Sequence, residues 1–370
     1  MKPSVIYEWL PIWYESKKPF YIRSAPGRGK STLIGEAPKR IGALLGKNLG
    51  FVWFNGANAN PMDLLGYGVP RHEEGKPTIM TFSLPFLWKT AEGKFLHEYD
   101  GGIILIEEAD KMDVDMKKII ADSALVGRFG IHQLPPGWVV WFAGNRAEDR
   151  SGSTKELDHM INRITYIDWT DDPKGWEEDY AIRTNRLKVT IAFAMAHTGL
   201  VWSDKLPDKQ RPYCTPRSTC AWDDILQTTI RYRGGTIEDG EIIGEFPMDE
   251  GMQEICAGTM GHPEAAQYFE TLMLSRDMPK YHDIVANPTG VKVPERTDAQ
   301  MLVCYNLAKL VEKKDAASVI RYVDRMPKEL SITFAKRAID RDHKLMSDTT
   351  FARWAMANSQ LLTFINGLTA

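Results

Sequence analysis

Lys30, Ser31, Glu107, Glu108 and Asn145 have the residue types and the spacing that phosphate chemistry requires. Lys30 and Ser31, with Thr32 behind them, follow a turn made of Pro26, Gly27, Arg28 and Gly29. Glycines let backbone N–H groups turn toward an anion, and a helix start adds positive dipole. A lysine there reaches the β- and γ-phosphates, and a serine hydroxyl can ligate Mg²⁺. The phosphate-loop pattern G-x-x-x-x-G-K-[ST] has glycine where this chain has Ser24, so Gly29, Lys30 and Ser31 match without the first glycine. Ordinary strand-to-helix turns also carry G-x-G-K-S. Further on, Ile103-Ile104-Leu105-Ile106 ends in Glu107-Glu108. In phosphoryl transfer the first carboxylate of such a pair holds the Mg²⁺ shell and the second polarises the attacking water. The plain alternative is a charged strand end facing solvent.

These residues need strands and helices to position them. Residues 19–23 read as a strand, and 33–49 as a helix with Pro38 awkwardly inside it and Gly46 and Gly50 as stops. Residues 51–55 form a continuous apolar run, the pattern of a parallel strand buried on both faces. Residues 67–81 suit a hairpin around Glu73-Glu74-Gly75-Lys76, and 84–91 a helix. Residues 102–106 make a buried strand that delivers its acids at the carboxyl end, where ligands bind in open α/β sheets. Asp113 is a reasonable N-cap for a helix ending before Gly127; 127–134 is a second hairpin, and 138–143 a buried strand ending at Asn145. After a polar loop and a short helical stretch, 164–167 is a fifth strand. This alternation predicts a three-layer α/β domain with a parallel five-stranded sheet. Strand signals thin out beyond Asp171. Periodicity predicts one long amphipathic helix over 174–197, and Pro216 opens another. A Gly-rich acidic loop follows over 234–251, and then a helical tail with breaks at Pro279, Pro288 and Pro294 and a capping box at Thr297 to Gln300. Residues 4–18 are an aromatic lead-in, able to lie beside a nucleotide or to cover the sheet as a helix.

Composition narrows the function classes. A chain of 370 residues with 43% hydrophobic and 26% charged residues can bury a sizeable core, and a net charge of -3 argues against undirected nucleic-acid binding. No apolar run approaches the roughly 20 residues of a membrane span. MKPSVIYEWL lacks the charged and apolar regions of a signal peptide, so the expectation is a cytoplasmic protein. Cys214, Cys220, Cys256 and Cys304 show no C-x-x-C spacing and read as reduced thiols, without zinc.

Taken together, SAPGRGKST, IILIEEADKM, WVVWFAGNR, LDHMINRI and TPRST, in that order, resemble the Walker A, Walker B, sensor 1, arginine-finger and sensor 2 elements of the AAA+ ATPases. NANPMDLLGYG before a hairpin, and the GRFGIHQLPPGW hairpin before the sensor strand, resemble the MoxR group and its dynein-like relatives. The likeness covers about residues 19–232. It implies a P-loop (ASCE/AAA+) nucleotide-binding domain over 1–170, a helical lid over 171–260 and a C-terminal helical region over 261–370. It also implies ATP and Mg²⁺ as cofactors, a ring-shaped homo-oligomer, a hexamer by expectation, and a protein client. A partner with a von Willebrand A domain is in keeping with that group.

Carried over by position, the resemblance makes residues 26–32 the nucleotide loop, with Lys30 on phosphate and Ser31 and Glu107 on the metal side. Glu108 becomes the catalytic base or water positioner, Asn145 sensor 1, Arg163 the arginine finger of the neighbouring subunit's site and Arg217 sensor 2. Each of the last three has a plainer role open to it. Asn145 can cap its turn, Arg163 can be a surface ion-pair residue with Arg146 and Arg150 as alternatives, and Arg217 can be a helix-surface arginine. Two positions depart from the pattern: Ser24 replaces glycine, and Glu107 stands where the group has aspartate, its extra methylene pushing the carboxylate further toward the metal. An ATP-gated scaffold with little hydrolysis is therefore the second reading. A DNA-directed motor or helicase loader is the third, with Lys39, Arg40, Lys47, Lys117, Lys118 and Arg128 as its basic rim.

Overall fold

The computed structural model describes residues 1–146, 158–244, 246–275 and 278–357, and Arg150 and Leu157 lie outside them. The chain divides into two compact units: Met1–Gly175 with Asp204–Leu206, and Trp176–Ser203 with the chain from Pro207 onward.

In the first unit, β1 (Phe20–Arg23), β2 (Leu49–Asn55), β5 (Gly101–Glu107), β8 (Trp138–Gly144) and β9 (Thr165–Asp168) form one parallel sheet in the order β2-β5-β8-β1-β9. The expected fold class is what the structure has: a three-layer α/β domain around a five-stranded parallel sheet, followed by a mostly helical region. Strand alternation creates the layers, because successive side chains point to opposite faces. Phe20, Ile22, Ile103, Leu105, Val139 and Trp141 pack with Ile6, Leu10, Leu33 and Ile34, under α1 (Pro3–Glu15) and α2 (Lys30–Leu45). On the other face Tyr21, Ile104, Ile106, Val140 and Phe142 pack with Met116 and Ile120 of α4 (Val114–Val126). Ile103 to Ile106 are fully buried, and each contributes roughly 1.5–3 kcal/mol. That burial fixes the position of the acids that follow.

The connections matter for the site. β1 leads through α2 to the edge strand β2, and the chain then returns through β5 and β8 to lie beside β1. Strand order reverses next to β1, and in open α/β sheets ligands bind in the crevice at such a reversal. Helix α2 runs through Pro38 because Leu33, Ile34, Ala37 and Ile41 are buried along one face, which offsets the hydrogen bond that proline cannot donate. The lead-in is helix α1, likewise continuous through Pro11.

Several expectations need correction. β2 is an edge strand, its neighbour on one side being β5, and Trp53 on it is 51% exposed, so the apolar run 51–55 is not buried on both faces. Residues 84–91 form only the single 3₁₀ turn Phe86–Trp88: Lys89 bridges to Phe95, and the Thr90–Lys94 turn takes the backbone groups a helix would have used. The predicted hairpins are present as β3 (Gly68–Arg71) with β4 (Ile79–Phe82), and as β6 (Arg128–Phe129) with β7 (His132–Gln133). The short helix α3 (Pro61–Leu65) precedes the first of them, capped by Asn60.

In the second unit one hydrophobic core runs from Ala181 to Ala355. The expected single helix over 174–197 is broken. A π-helical turn spans Trp176–Ala181, Asn185 takes a left-handed conformation at φ 53°, and a helix resumes at Lys188–Ala196. The break places Arg186 against Asp223 and the Leu187 N–H on the Asp223 carboxylate, so burial of that carboxylate overrides the apolar period. The acidic loop contains a hairpin, Thr236–Glu238 with Glu241–Ile243, turning at Asp239 and Gly240, both at positive φ. Asp-Gly is the residue pair such two-residue turns favour. The helix Thr297–Leu310 starts without the expected capping box: Arg296 is its N-cap, and Asp298 is engaged by the Arg296 guanidinium.

Candidate functional site

The loop between β1 and α2 is shaped by Gly27 at φ 76° and Gly29 at φ 96°, left-handed conformations that carry no steric cost for glycine. Gly29 is the N-cap of α2, so the helix's first N–H groups and its positive end face the loop. Leu33 and Ile34 anchor α2 to the sheet, which points Lys30 and Ser31 at the carboxyl edge. Pro26 is half-buried and Thr32 exposed.

Lys30 is only 8% exposed, and its ammonium donates to Ser24 Oγ at 2.9 Å, to the Ser24 carbonyl at 3.3 Å, to the Ala25 carbonyl at 3.4 Å and to Asn145 Oδ1 at 3.3 Å. Asn145 lies just past the tip of β8, and its backbone N–H donates to Asp110 Oδ1 at 3.0 Å. The strand order explains the meeting: β8 is hydrogen-bonded to β1, so their carboxyl ends open onto one crevice.

At the end of β5 the two acids separate. Glu107 accepts from the Ser31 hydroxyl at Oε1 and from the Trp53 indole N–H at Oε2. Glu108 follows at φ 53°, a conformation uncommon for a non-glycine residue. It turns the chain into a short 3₁₀ turn, and the Glu108 carboxylate accepts from Lys111 Nζ at 3.0 Å. Both acids are half-buried. Their donor set, a serine hydroxyl beside a carboxylate, is all oxygen, as Mg²⁺ requires. Mg²⁺ takes one or two carboxylates plus substrate phosphates and does not need a full protein cage. The absence of a cluster of three or more His, Cys, Asp or Glu among the described residues is compatible with such a site.

Arg28 is committed to ion pairs. Its side chain is 1% exposed and pairs with Asp171 at 3.3 Å and Asp204 at 3.5 Å, while Arg146 pairs with Asp204 at 2.8 Å. Burial pushes the Asp171 carboxyl up from its ordinary value; the positive charge of Arg28 opposes that shift, and Asp204 adds to it. Arg163 is exposed just beyond the short helix α5 (Asp158–Ile161), with its backbone N–H on the Met160 carbonyl. Arg217 is exposed in the first turn of the helix Pro216–Tyr232 of the second unit, which Thr215 and Ser218 cap reciprocally.

The structure thus brings together Lys30 with Asn145 and Ser31 with Glu107, leaves Glu108 next in the chain but engaged by Lys111, and places Arg163 on the surface of the same unit. Of the residues not singled out from sequence, Asp110 and Lys111 follow the acids so closely that their place on the turn was readable. Trp53 and Asp204 were not, because strand pairing and a chain return bring them in. The suggested basic rim loses Lys117, which is fully buried; Arg40, Lys47, Lys118 and Arg128 pair with Glu36, Glu15, Asp115 and Asp122. No helix among the described residues is long and apolar enough to cross a membrane.

No protein-family model matches the chain, and no curated protein matches it in sequence. Among solved structures it is similar to RuvB, the Holliday junction branch migration motor of Thermotoga maritima, at 12% identity over 78% of this chain and 76% of that one, with a TM-score of 0.35. It is also similar to NtrX from Brucella abortus at 14% identity, over 78% of this chain and 62% of that one, with a TM-score of 0.34. Likeness this distant carries no argument about activity, which rests on the geometry of the chain's own residues.

Proposed function

We propose that this protein is a Mg²⁺-dependent ATPase of the AAA+ type, most like the MoxR group, that binds ATP on the loop between β1 and α2. The observation that carries the reading is the meeting of three motifs far apart in sequence: Lys30 on Asn145, and Ser31 on Glu107, at the carboxyl edge of a sheet whose order reverses beside β1. Loop N–H groups and Lys30 would hold the β- and γ-phosphates, and Ser31 and Glu107 would hold Mg²⁺, which neutralises charge on those phosphates. Glu108 would accept the proton of the attacking water, with Asn145 orienting that water. Before it can do so, Glu108 has to release Lys111.

Arg163, exposed and without a role in its own crevice, suits a finger reaching a neighbouring subunit's ATP, and Arg217 suits sensor 2. An assembly that uses Arg163 in this way is a ring, a hexamer in this reading. Its turnover would remodel a protein client, with the hairpins β3–β4 and β6–β7 as contacts and a von Willebrand A domain protein as a candidate partner. The exposed Val69, Ile79, Met80 and Phe82 on the first hairpin, and Ile131 at the second, suit protein contacts better than nucleic acid. The second reading, an ATP-gated scaffold with little hydrolysis, draws on one observation: the Glu108 carboxylate is engaged by Lys111.

ATP binding and phosphate release by the wild type and by Glu108→Gln separate the two. The ATPase reading expects Glu108→Gln to bind ATP as well as wild type and to lose about 10²–10⁴-fold in turnover, the contribution of a general base. A wild type that binds ATP but turns over no faster than Glu108→Gln supports the scaffold, and a wild type that binds no nucleotide ends both readings.

A further inference from the structure

Trp53 lies on β2 in register with Leu105 of β5, while Asn55 is in register with Glu107. Trp53 is therefore the diagonal neighbour of Glu107 on the same face of the sheet, within reach of a long aromatic side chain. Its strand neighbours Val52 and Phe54 are buried on the opposite face, whereas the indole is half-exposed at the sheet edge. Packing alone gives this tryptophan little reason to be there, yet its single polar atom donates to Glu107 Oε2 while Ser31 donates to Oε1.

We propose that Trp53 is a positioning residue that holds Glu107 in place as a divalent-cation ligand, an inference that rests on the ATPase reading above. A glutamate has one more rotatable bond than an aspartate, and fixing it costs side-chain entropy on cation binding. The indole N–H restrains one carboxylate oxygen from a rigid strand and leaves the other turned toward Ser31. Partners of this kind, which orient a ligating carboxylate, commonly contribute a factor of ten or more to metal affinity. The extra methylene of Glu107 and the exposed tryptophan on the neighbouring strand thus form one device: the longer arm reaches the indole, and the indole removes its freedom.

The test is Mn²⁺ binding to the full chain loaded with ATP, followed by electron paramagnetic resonance, for wild type, Trp53→Phe, Glu107→Asp and the double variant. Trp53→Phe keeps an aromatic ring at a half-exposed site, and circular dichroism verifies its fold. The expected result is Mn²⁺ affinity about tenfold weaker in Trp53→Phe, ATP affinity in the presence of EDTA unchanged, and no further loss when Trp53→Phe is added to Glu107→Asp, whose shorter arm does not reach the indole. Equal Mn²⁺ affinity in wild type and Trp53→Phe, or the same loss in both backgrounds, overturns the inference. Lys30→Ala run alongside separates the two levels. If Lys30→Ala binds ATP in EDTA as wild type does, the ATPase reading itself falls; if it loses ATP while Trp53→Phe is silent, only the role of Trp53 falls.

Discussion

Lys30 Nζ lies 2.9 Å from the hydroxyl of Ser24, the residue that replaces the first glycine of the phosphate-loop pattern. The departure from the pattern is thus the side chain that holds the loop's lysine. The Lys30 ammonium donates hydrogen bonds to oxygens of Ser24, Ala25 and Asn145, which lets it sit nearly buried. A phosphate has to compete with that arrangement. Ser24→Ala removes one charge-assisted hydrogen bond worth roughly 1.5 kcal/mol, so ATP affinity should tighten by up to about tenfold. Titration calorimetry measures it, and unchanged or weaker binding would show that Ser24 does not restrain the lysine.

Gly144 leaves room at the tip of β8. A Cβ there would lie 2.3 Å from the Tyr21 hydroxyl and 2.6 Å from Asp110 Oδ1, the atom that accepts the Asn145 N–H. Gly144→Ala should cost about 1–3 kcal/mol by overpacking and should displace Asn145, reducing turnover more than ATP affinity. Thermal unfolding and steady-state kinetics read the two effects separately. Turnover equal to wild type would remove Asn145 from the mechanism.

Acid should loosen the second unit through Asp298. Burial works to raise this carboxyl, but hydrogen bonds from Arg296, Thr271 and the Ala299 N–H, with His197 Nε2 3.9 Å away, overcome it and hold it well below its ordinary value. The Arg296 contact is 2.7 Å and the Ala299 contact 2.8 Å. A depressed folded-state value means that the stabilisation is complete above the unfolded value of about 3.9 and is lost as the pH falls below it. Asp298→Asn should therefore cost about 2 kcal/mol at neutral pH, and the gap to wild type should close as the pH falls below about 4. Denaturant unfolding across that range would show a constant gap if Asp298 carried no such interaction.

Much of the fold was legible because its signals are local. The continuous apolar runs of 102–106 and 138–143, the Asp113 cap and the glycine-marked hairpins all follow from residues near one another in sequence. The misread parts depend on distant partners. The apolar run 51–55 looks like an interior strand, and only the order of the sheet makes it an edge. The period over 174–197 is helical, yet Asp223, on another helix, draws Arg186 and Leu187 out of it. The Asp239-Gly240 turn was readable from its two residues but was masked by the surrounding glycines and acids. At the site, Lys30, Ser31, Glu107, Glu108 and Asn145 were legible by type and spacing, whereas the clamp of Trp53 on Glu107 and the pairing of Arg28 with Asp171 and Asp204 required the folded chain.

Whether the β1–α2 loop holds the phosphates of ATP is read most directly from the ATP affinity of the wild type against Lys30→Ala in the same buffer with Mg²⁺. Loss of an ammonium that contacts phosphate removes a charge-assisted interaction of roughly 1.5–3 kcal/mol, so Lys30→Ala should bind ATP at least about tenfold more weakly and show no turnover. Equal affinity in the two proteins, with the variant's fold intact by circular dichroism, would contradict the account.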